Sequence, residues 1–464
     1  MISVMREISP LKAAIDIWRT GRKKPEEIFA LQQSRLEDFL SFVRKNSRFY
    51  AKKYKNSAEN AMSFPRLPHV TKSELMENFD DWVTDPAITL ERVQEFVSDM
   101  SKVGHPFSGG YSVLTTSGST GVPVILIQDP YSLTIMQTVI SIRGVKKLKG
   151  HDMWKLMVNG GRNASICSTT GHFGAYATAE RMRLNGAKTK IFSIHTPLPT
   201  LVKELNEYQP SVVGGYPTMV EVLAEEQKSG RLHIDPVMIA FAGEQLYPHV
   251  RTKIESAFKR AFLLNFYGCS EAAGLTYECE ENHFHINSDW VIVEPVDENY
   301  QPVPPGEQSH SVLITNLVNR VQPIVRYELT DRIILSPEPC KCGSPFPFLH
   351  VEGRTDDILK FSASNGETIH ILPLALKTIV EKIPGVRRFQ VIQTSPSQLT
   401  VRLEEFNSHQ REEVWENIKK QLFDYLESQK VTNISIIKSE ERPRKQKSGK
   451  FNHVFVDYHP VRKD

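Results

Sequence analysis

Between Lys155 and Gly268, short β-prone runs alternate with amphipathic helical stretches, and this alternation limits the possible fold more than any other feature. The runs are KLMVNG, KTKIFSI, SVVGGYP, MIAFAGE and AFLLNFYG, most of them closed by glycine or proline. Helical patterns such as TLVKELNEY and VRTKIESAFKRA lie between them. Such alternation predicts α/β layering with a largely parallel sheet. Upstream, the segment from Pro25 opens with a proline and two acids, and its stripe at Leu31, Leu36, Phe39, Leu40 and Val43 predicts a helix. Thr71 and Glu74 form a capping box for another.

The pattern changes twice downstream. From about Trp290 to Leu335 the β-like pieces shorten (VIVEP, HSVLITNL, DRIILS), which predicts a β-rich subdomain. Beyond Gly353, RRFQVIQ, LTVRLEE and NISIIKS alternate with the helix-like LALKTIVEKI and EEVWENIKKQLFDYLES. That is a compact α+β unit of its own. A chain of 464 residues is too long for one ordinary core. The expected division is a large N-terminal α/β domain, residues 1–355, and a small α+β C-terminal domain, residues 356–464.

Composition narrows the function classes. With 40% apolar and 24% charged residues, the chain reads as a soluble enzyme. Fifty-seven Lys and Arg oppose 54 Asp and Glu, a balance that gives no support for nucleic-acid binding. No apolar run approaches the roughly 18–20 residues of a membrane span. Ile17 to Pro25, IWRTGRKKP, is no signal-peptide core. Five unevenly placed cysteines make no disulfide framework, so a cytoplasmic protein with reduced thiols is expected. Small molecules are the expected partners, with no membrane and no nucleic acid, and a homodimer is an open assembly state.

Five stretches carry chemistry. TTSGSTGVPV, Thr115 to Val124, sets two glycines among five hydroxyls. Its backbone can approach an anion closely and offer donors to phosphate oxygens, although a Ser/Gly turn between two strands reads the same way. It lacks the Gly-Lys-Ser/Thr ending of a Walker loop. FYGCSEAAG, Phe266 to Gly274, sets Tyr267, Ser270 and Glu271 where a strand should end, the usual ligand-binding edge of an open α/β sheet. In RYELTDR, Asp331 has a carboxylate able to accept from two ribose hydroxyls, and a surface turn is the other reading. EGRTDDILK sets Arg354 before two acids, which fit a helix start equally well. RKQKSGKFNH holds Lys450 after a Ser-Gly turn, at the end of a basic run whose other cations read as a solvated face.

In this order, the five stretches resemble the adenylate-forming acyl-CoA synthetases, most closely their phenylacetate–CoA ligase branch. AGEQLYPHVRTKIESAF followed by FYGCSE is the most specific part, and the likeness runs from LQQSRLEDFL to the terminal lysine. The resemblance implies an enzyme that uses ATP and Mg2+ to adenylate a carboxylic acid and then transfers the acyl group to coenzyme A. It assigns the β- and γ-phosphates to Thr116, Ser117, Gly118, Ser119, Thr120 and Gly121. Val122 stands where many relatives have a lysine. Adenine would lie between Ala242, Gly243, Glu244 and the region of Tyr267, Gly268 and Ser270. Glu271 would hold Mg2+, and Asp331 the ribose with help from Arg354. Asp356 matches the pivot of a mobile C-terminal domain, and Lys450 the lysine that reaches the carboxylate and α-phosphate. An aromatic acid is implied, with Tyr216, Phe241 and Phe266 as pocket walls or, equally, core residues. FSASNGETIH departs from the shorter turn expected near the coenzyme A tunnel and keeps another acceptor open, such as an amine, a carrier-protein thiol or an adenylylated cofactor. A non-catalytic nucleotide-binding protein is the remaining rival.

Cys279 and His285, in ECEENHFHI, and Cys340 and Cys342, in PCKCGS, make a Cys3His set suited to structural Zn2+. His283 rivals His285, and unrelated buried cysteines are the plainer alternative. Some relatives in the resembled branch carry a zinc there. Cys167 and Cys269 stay outside the set, the latter as a pocket wall.

Overall fold

A computed structural model describes residues 7–57, 61–116, 124–146, 148, 150–158, 160–241, 243–354, 359–362, 368–371, 373–405, 411–431, 433–444 and 451–458. These residues form two compact units. One runs to Leu329 and includes Ile333–Val351, and the other takes Thr330–Arg332 and the chain from Glu352 onward. The fold is α/β, with parallel and antiparallel sheets in the large first unit and an α+β second unit.

In the first unit, Ser112–Thr115 (β1) and Ile125–Gln128 (β2) pair antiparallel. Five strands then build a parallel sheet: Asn163–Cys167 (β3), Thr189–Ser193 (β4), Val212–Gly215 (β5), Met238–Phe241 (β6) and Phe262–Leu264 (β7). Their spatial order is β4-β3-β5-β6-β7. Helices Leu198–Tyr208, Pro217–Lys228 and Pro248–Ala257 each start on a proline within the first two positions, where its missing N–H costs nothing. Their stripes (Leu201, Leu205, Val220, Leu223, Ile254) pack with Ile166, Val213, Ile239 and Leu263 of the strands in one core.

One expected strand is wrong. KLMVNG belongs to the helix Gly150–Val158, and the sheet strand is the later NASIC. Lys, Leu and Met are good helix formers, and Trp154 and Val158 stand exposed, whereas a strand central to a parallel sheet buries both faces. Gly160 and Gly161, both at positive φ, end that helix, and Gly161 N–H returns to Leu156 O at 2.9 Å.

The β-rich part holds Thr276–Glu278 (β8), Phe284–Ile286 (β9), Val291–Val296 (β10), Ser311–Asn316 (β11), Ile324–Leu329 (β12), Asp331–Leu335 (β13) and Phe348–Arg354 (β14). Strands β10-β11-β12 form one antiparallel sheet, and β13-β14-β9-β8 form another. The expected N-terminal helix spans Pro25–Asn46. It buries Leu36, Phe39, Leu40 and Val43 in the core that also takes Ile314 and Val325.

The second unit adds a hairpin, Leu359–Ser362 (β15) with Thr368–Ile371 (β16). Its main sheet is built from Val386–Ser395 (β17), Gln398–Glu405 (β18), Ser435–Lys438 (β19) and Val454–Val456 (β20), in the order β19-β18-β17-β20. Helices Pro373–Glu381 and Arg411–Ser428 belong to this unit, and Leu376, Val380, Ile418 and Leu422 pack with Val391, Leu399 and Val401 of the sheet. Among the described residues, no helix is long and apolar enough to cross a membrane.

Candidate active site and metal centre

Because β3 to β7 are parallel, their C-terminal ends share one edge of the sheet. Strand order reverses between β3 and β5, which makes a topological switch point, the place where open α/β sheets take ligands. The stretches leaving β5, β6 and β7 carry Tyr216, Gly243 with Glu244, and Tyr267 to Glu271. Gly243 sits at φ +79°, where a side chain is strained, and lets the chain turn sharply off β6. Glu244 Oε2 then accepts from Thr218 N at 3.2 Å and Thr218 Oγ1 at 2.8 Å. A carboxylate at that place satisfies an orphan donor of helix Pro217–Lys228 and faces the positive end of its dipole.

The Tyr267–Glu271 stretch is held from behind. Thr276 grips Tyr267 twice, as Tyr267 N–H donates to Oγ1 at 3.0 Å and Oγ1 donates to Tyr267 O at 2.6 Å. Glu271 is 9% exposed. Its Oε1 accepts from the Tyr327 hydroxyl at 3.1 Å, and its backbone oxygen from Asn316 Nδ2 at 2.9 Å. Tyr327 follows Arg326, a buried residue at φ +46°, opposite a register shift between Ile314 and Asn316. Such an irregularity redirects side chains locally. The hard carboxylate oxygens of Glu271 are the donor type that Mg2+ prefers.

The hydroxyl-rich loop connects β1 and β2, so the sequence reading of a turn between two strands holds for its flanks. Thr116 closes the hairpin: its N–H donates to Val124 O and its Oγ1 accepts from Val124 N, both at 3.0 Å. Gln322, fully buried, accepts from Ile127 N at 2.8 Å and donates to Ile125 O at 3.0 Å, pinning β2. Thr115 N–H donates to His172 O at 2.7 Å, which sets β1 beside the start of helix Gly174–Leu184. A Cβ on Gly174 would lie 3.7 Å from Ser270 Oγ. The β1 end, this helix start and the Ser270 loop therefore converge.

Ser117, Gly118, Ser119, Thr120, Gly121, Ala242, Asp356 and Lys450 lie outside the described residues, as does the side chain of Arg354. Gly268 is exposed on its loop. Asp331 opens β13 and belongs, with Arg354, to the second unit. Phe241 and Tyr216 are core residues, 1% and 6% exposed in the cluster beneath the sheet, while Phe266 is half-buried. Burial pushes the Tyr216 phenol up to about 12. Sequence reasoning missed Thr218, Thr276, Asn316, Gln322 and Tyr327. Only Tyr327 lay in a motif singled out, and no sequence signal marks the others.

The cysteine cluster comes together from β8, β9 and the turn before β14. One ligand atom from each of Cys279, His285, Cys340 and Cys342 can be chosen so that all four lie within 4.8 Å of one another. Cys279 Sγ and Cys340 Sγ are 3.7 Å apart, too far for a disulfide. Zn–S bonds of about 2.3 Å at tetrahedral angles would set two sulfurs about 3.8 Å apart, so the spacing fits a shared ion. His285 Nδ1 lies 2.7 Å from Phe346 O, a partner that can only accept. The proton is therefore on Nδ1, and the Nε2 lone pair faces Cys342 Sγ at 3.3 Å. His283 Nδ1 approaches Cys340 Sγ at 3.3 Å while its ring stacks on Phe348. Burial raises the Cys279 thiol and pushes that of Cys342 up to about 12, and it lowers His285 towards its neutral form. A bound cation would supply the charge that lets these thiols ionise.

The sequence model of the AMP-binding enzyme family matches residues 110–308. Protein CapK of Staphylococcus aureus is 24% identical over 328 residues, 67% of this chain, which spans 64% of that protein's length. The fold is that of 2-hydroxyisobutyryl-CoA ligase. Its postadenylation structure with R3-HIB-AMP superposes with a TM-score of 0.66 at 20% identity, covering 94% of this chain and 91% of that one. The same enzyme with 2-HIB-AMP and CoA, in the thioesterification state, gives 0.54 at 19% identity over 94% and 91%. Residues 110–308 thus match the AMP-binding enzyme family, and the chain has the fold of the adenylate-forming ligases.

Proposed function

We propose that the protein joins a carboxylic acid to coenzyme A through an acyl-adenylate. A carboxylate oxygen attacks the α-phosphorus of ATP, the bond to the β-phosphate breaks, and pyrophosphate leaves. The coenzyme A sulfur then attacks the acyl carbon, and AMP leaves. The observation that carries this reading is the convergence of the Thr116 hairpin, Ser270 and Glu271 at the ligand-binding edge of the parallel sheet. The similar ligase structures, one with an acyl-AMP and another with acyl-AMP and CoA, support both steps.

In this reading Thr116 and the loop residues Ser117 to Gly121 hold the β- and γ-phosphates. Adenine lies between Ala242–Glu244 and Tyr267–Ser270, Asp331 accepts from the ribose, and Arg354 assists it. Mg2+, held by Glu271, supplies positive charge to the phosphates. The Lys450 ammonium partners charge that develops as two anions approach. The second domain, from Asp356 onward, moves between the two steps. Zn2+ at Cys279, His285, Cys340 and Cys342 supplies structure only, because its ligand set is complete. The finer reading is a phenylacetate–CoA ligase-like enzyme acting on an aromatic acid in the cytoplasm, with Phe266 against the ring. The sequence FSASNGETIH, which departs from the shorter turn expected near the coenzyme A tunnel, favours a second reading, in which adenylation feeds another acceptor.

Pyrophosphate release tests the proposal, using phenylacetate, benzoate and 2-hydroxyisobutyrate, each with and without coenzyme A. Release with an aromatic acid, accelerated by coenzyme A and yielding a thioester, is the expected result. Release that coenzyme A does not alter moves the assignment to another acceptor, and no release with any acid overturns adenylation.

A further inference from the structure

We propose that Gln390 is a positioning residue for adenylation, holding together the two ends of the segment that carries Lys450. The inference rests on the proposed role of Lys450. Gln390 lies on β17 and is 2% exposed. Its Nε2 donates to Arg444 O at 2.9 Å and to Asn452 O at 3.0 Å. Its Oε1 accepts from Arg444 N at 3.0 Å, with Arg402 Nη1 at 3.5 Å from the same oxygen. All four hydrogen-bonding positions of the amide are thereby used. The partners also settle its orientation, since two carbonyls require the NH2 and two N–H donors require the oxygen.

The contacts are to backbone, so what they organise is chain path rather than a surface charge. Arg444 and Asn452 bracket residues 445–451, and Lys450 stands two residues before Asn452. Beyond that point the path is already fixed. Phe451 is 6% exposed, Val391 N–H donates to His453 O at 2.7 Å, and β20 runs parallel to β17 from Val454. Among the described residues the Arg444 end has no such strand pairing in this sheet, and Gln390 bonds both its N–H and its C=O. An apolar side chain at 390 would take these partners from three part-buried backbone groups and release one end of the segment. A group that must meet a developing charge loses rate steeply when its position is loosened.

The test is a double-mutant cycle with Gln390→Met and Lys450→Ala. It is read as ATP–pyrophosphate exchange with whichever of phenylacetate, benzoate and 2-hydroxyisobutyrate the wild type exchanges fastest. Gln390→Met should lower kcat for exchange about tenfold, with the KM for ATP unchanged within about twofold. Added to Lys450→Ala, it should produce no further loss, because there is no lysine left to position. A loss that multiplies with that of Lys450→Ala, or a rise in KM alone, would show that Gln390 only supports its unit and would overturn the inference. If Lys450→Ala itself leaves exchange intact, or no acid supports exchange, the underlying reading fails first and this inference with it. Should Gln390→Met fail to fold by circular dichroism, Gln390→Glu serves the same cycle. It keeps an acceptor for Arg444 N–H beside Arg402 and loses both donations.

Discussion

The cysteine cluster and the loops at the strand ends both collect polar side chains, but they satisfy them in opposite ways. In the cluster, three thiols and an imidazole point at one another, with the outer nitrogen of His285 already used on Phe346 O. At the strand ends the polar groups are gripped from behind. Thr218 holds Glu244, Tyr327 and Asn316 hold Glu271, and Thr276 holds the Tyr267 backbone. The first arrangement brings distant segments together around a place that the proposed cation would fill. The second is held by hydrogen bonds within the protein and, in the proposed reading, keeps side chains in place for a ligand. Substitution in the cluster should therefore cost stability, whereas substitution at the strand ends should cost activity.

Cys342→Ser gives the largest break. Cys279 and Cys340 are 61 residues apart, and the loop-closure part of a cross-link there is worth about 4 kcal/mol. The variant should lose its zinc by elemental analysis and much of that stability by urea unfolding. The protein that remains folded should keep its adenylation rate. Zinc retained in Cys342→Ser but lost in His283→Ala would reassign the ligands, and wild type free of metal without chelator would refute the centre.

Lys450→Ala inverts that profile. Adenylate formation should fall about 100-fold or more, the scale of losing a transition-state charge partner. The unfolding midpoint and ATP binding should not change. An equal loss in thioester formation from supplied acyl-adenylate would remove the assigned role. Asp331→Ala should weaken ATP binding in calorimetry by about tenfold, since a ribose loses a charged acceptor for its hydroxyls. Unchanged affinity would leave Asp331 as a structural residue at the start of β13.

Tyr327→Phe gives the smallest and most diagnostic effect. Deleting one hydroxyl should cost roughly 1 kcal/mol of interaction with Glu271, or about fivefold in adenylation. That loss should appear as a higher Mg2+ requirement at unchanged stability. A drop in stability with no change in Mg2+ dependence would mean that this part of the strand-end site resembles the cluster after all.

The two regions also differed in how far they could be read in advance. Thiols and imidazoles have few structural uses together, so ECEENHFHI and PCKCGS, with the family resemblance, pointed to the cluster while leaving His283 as a rival to His285. At the strand ends, FYGCSE and AGE marked the edge of the sheet because β-prone runs stop at glycines. Their supports were invisible, because Thr218, Thr276, Asn316 and Gln322 are ordinary polar residues whose role depends on what folds against them. KLMVNG misled for a related reason. A short apolar run suits strand and helix alike, and burial on one face or two decides between them.

By itself, then, the sequence determined the layered α/β class, the α+β character of the C-terminal part and the residue types available for phosphate, ribose and metal. Periodicity and side-chain chemistry are local properties, and they survive without knowledge of the fold. Tertiary structure alone decided that β3 and β5 make the switch point, that Phe241 is core, that the proton of His285 sits on Nδ1, and that Gln390 ties Arg444 to Asn452. Each of these depends on a partner far away in the chain, and a hydrogen bond or packed face exists only once both sides have been brought together.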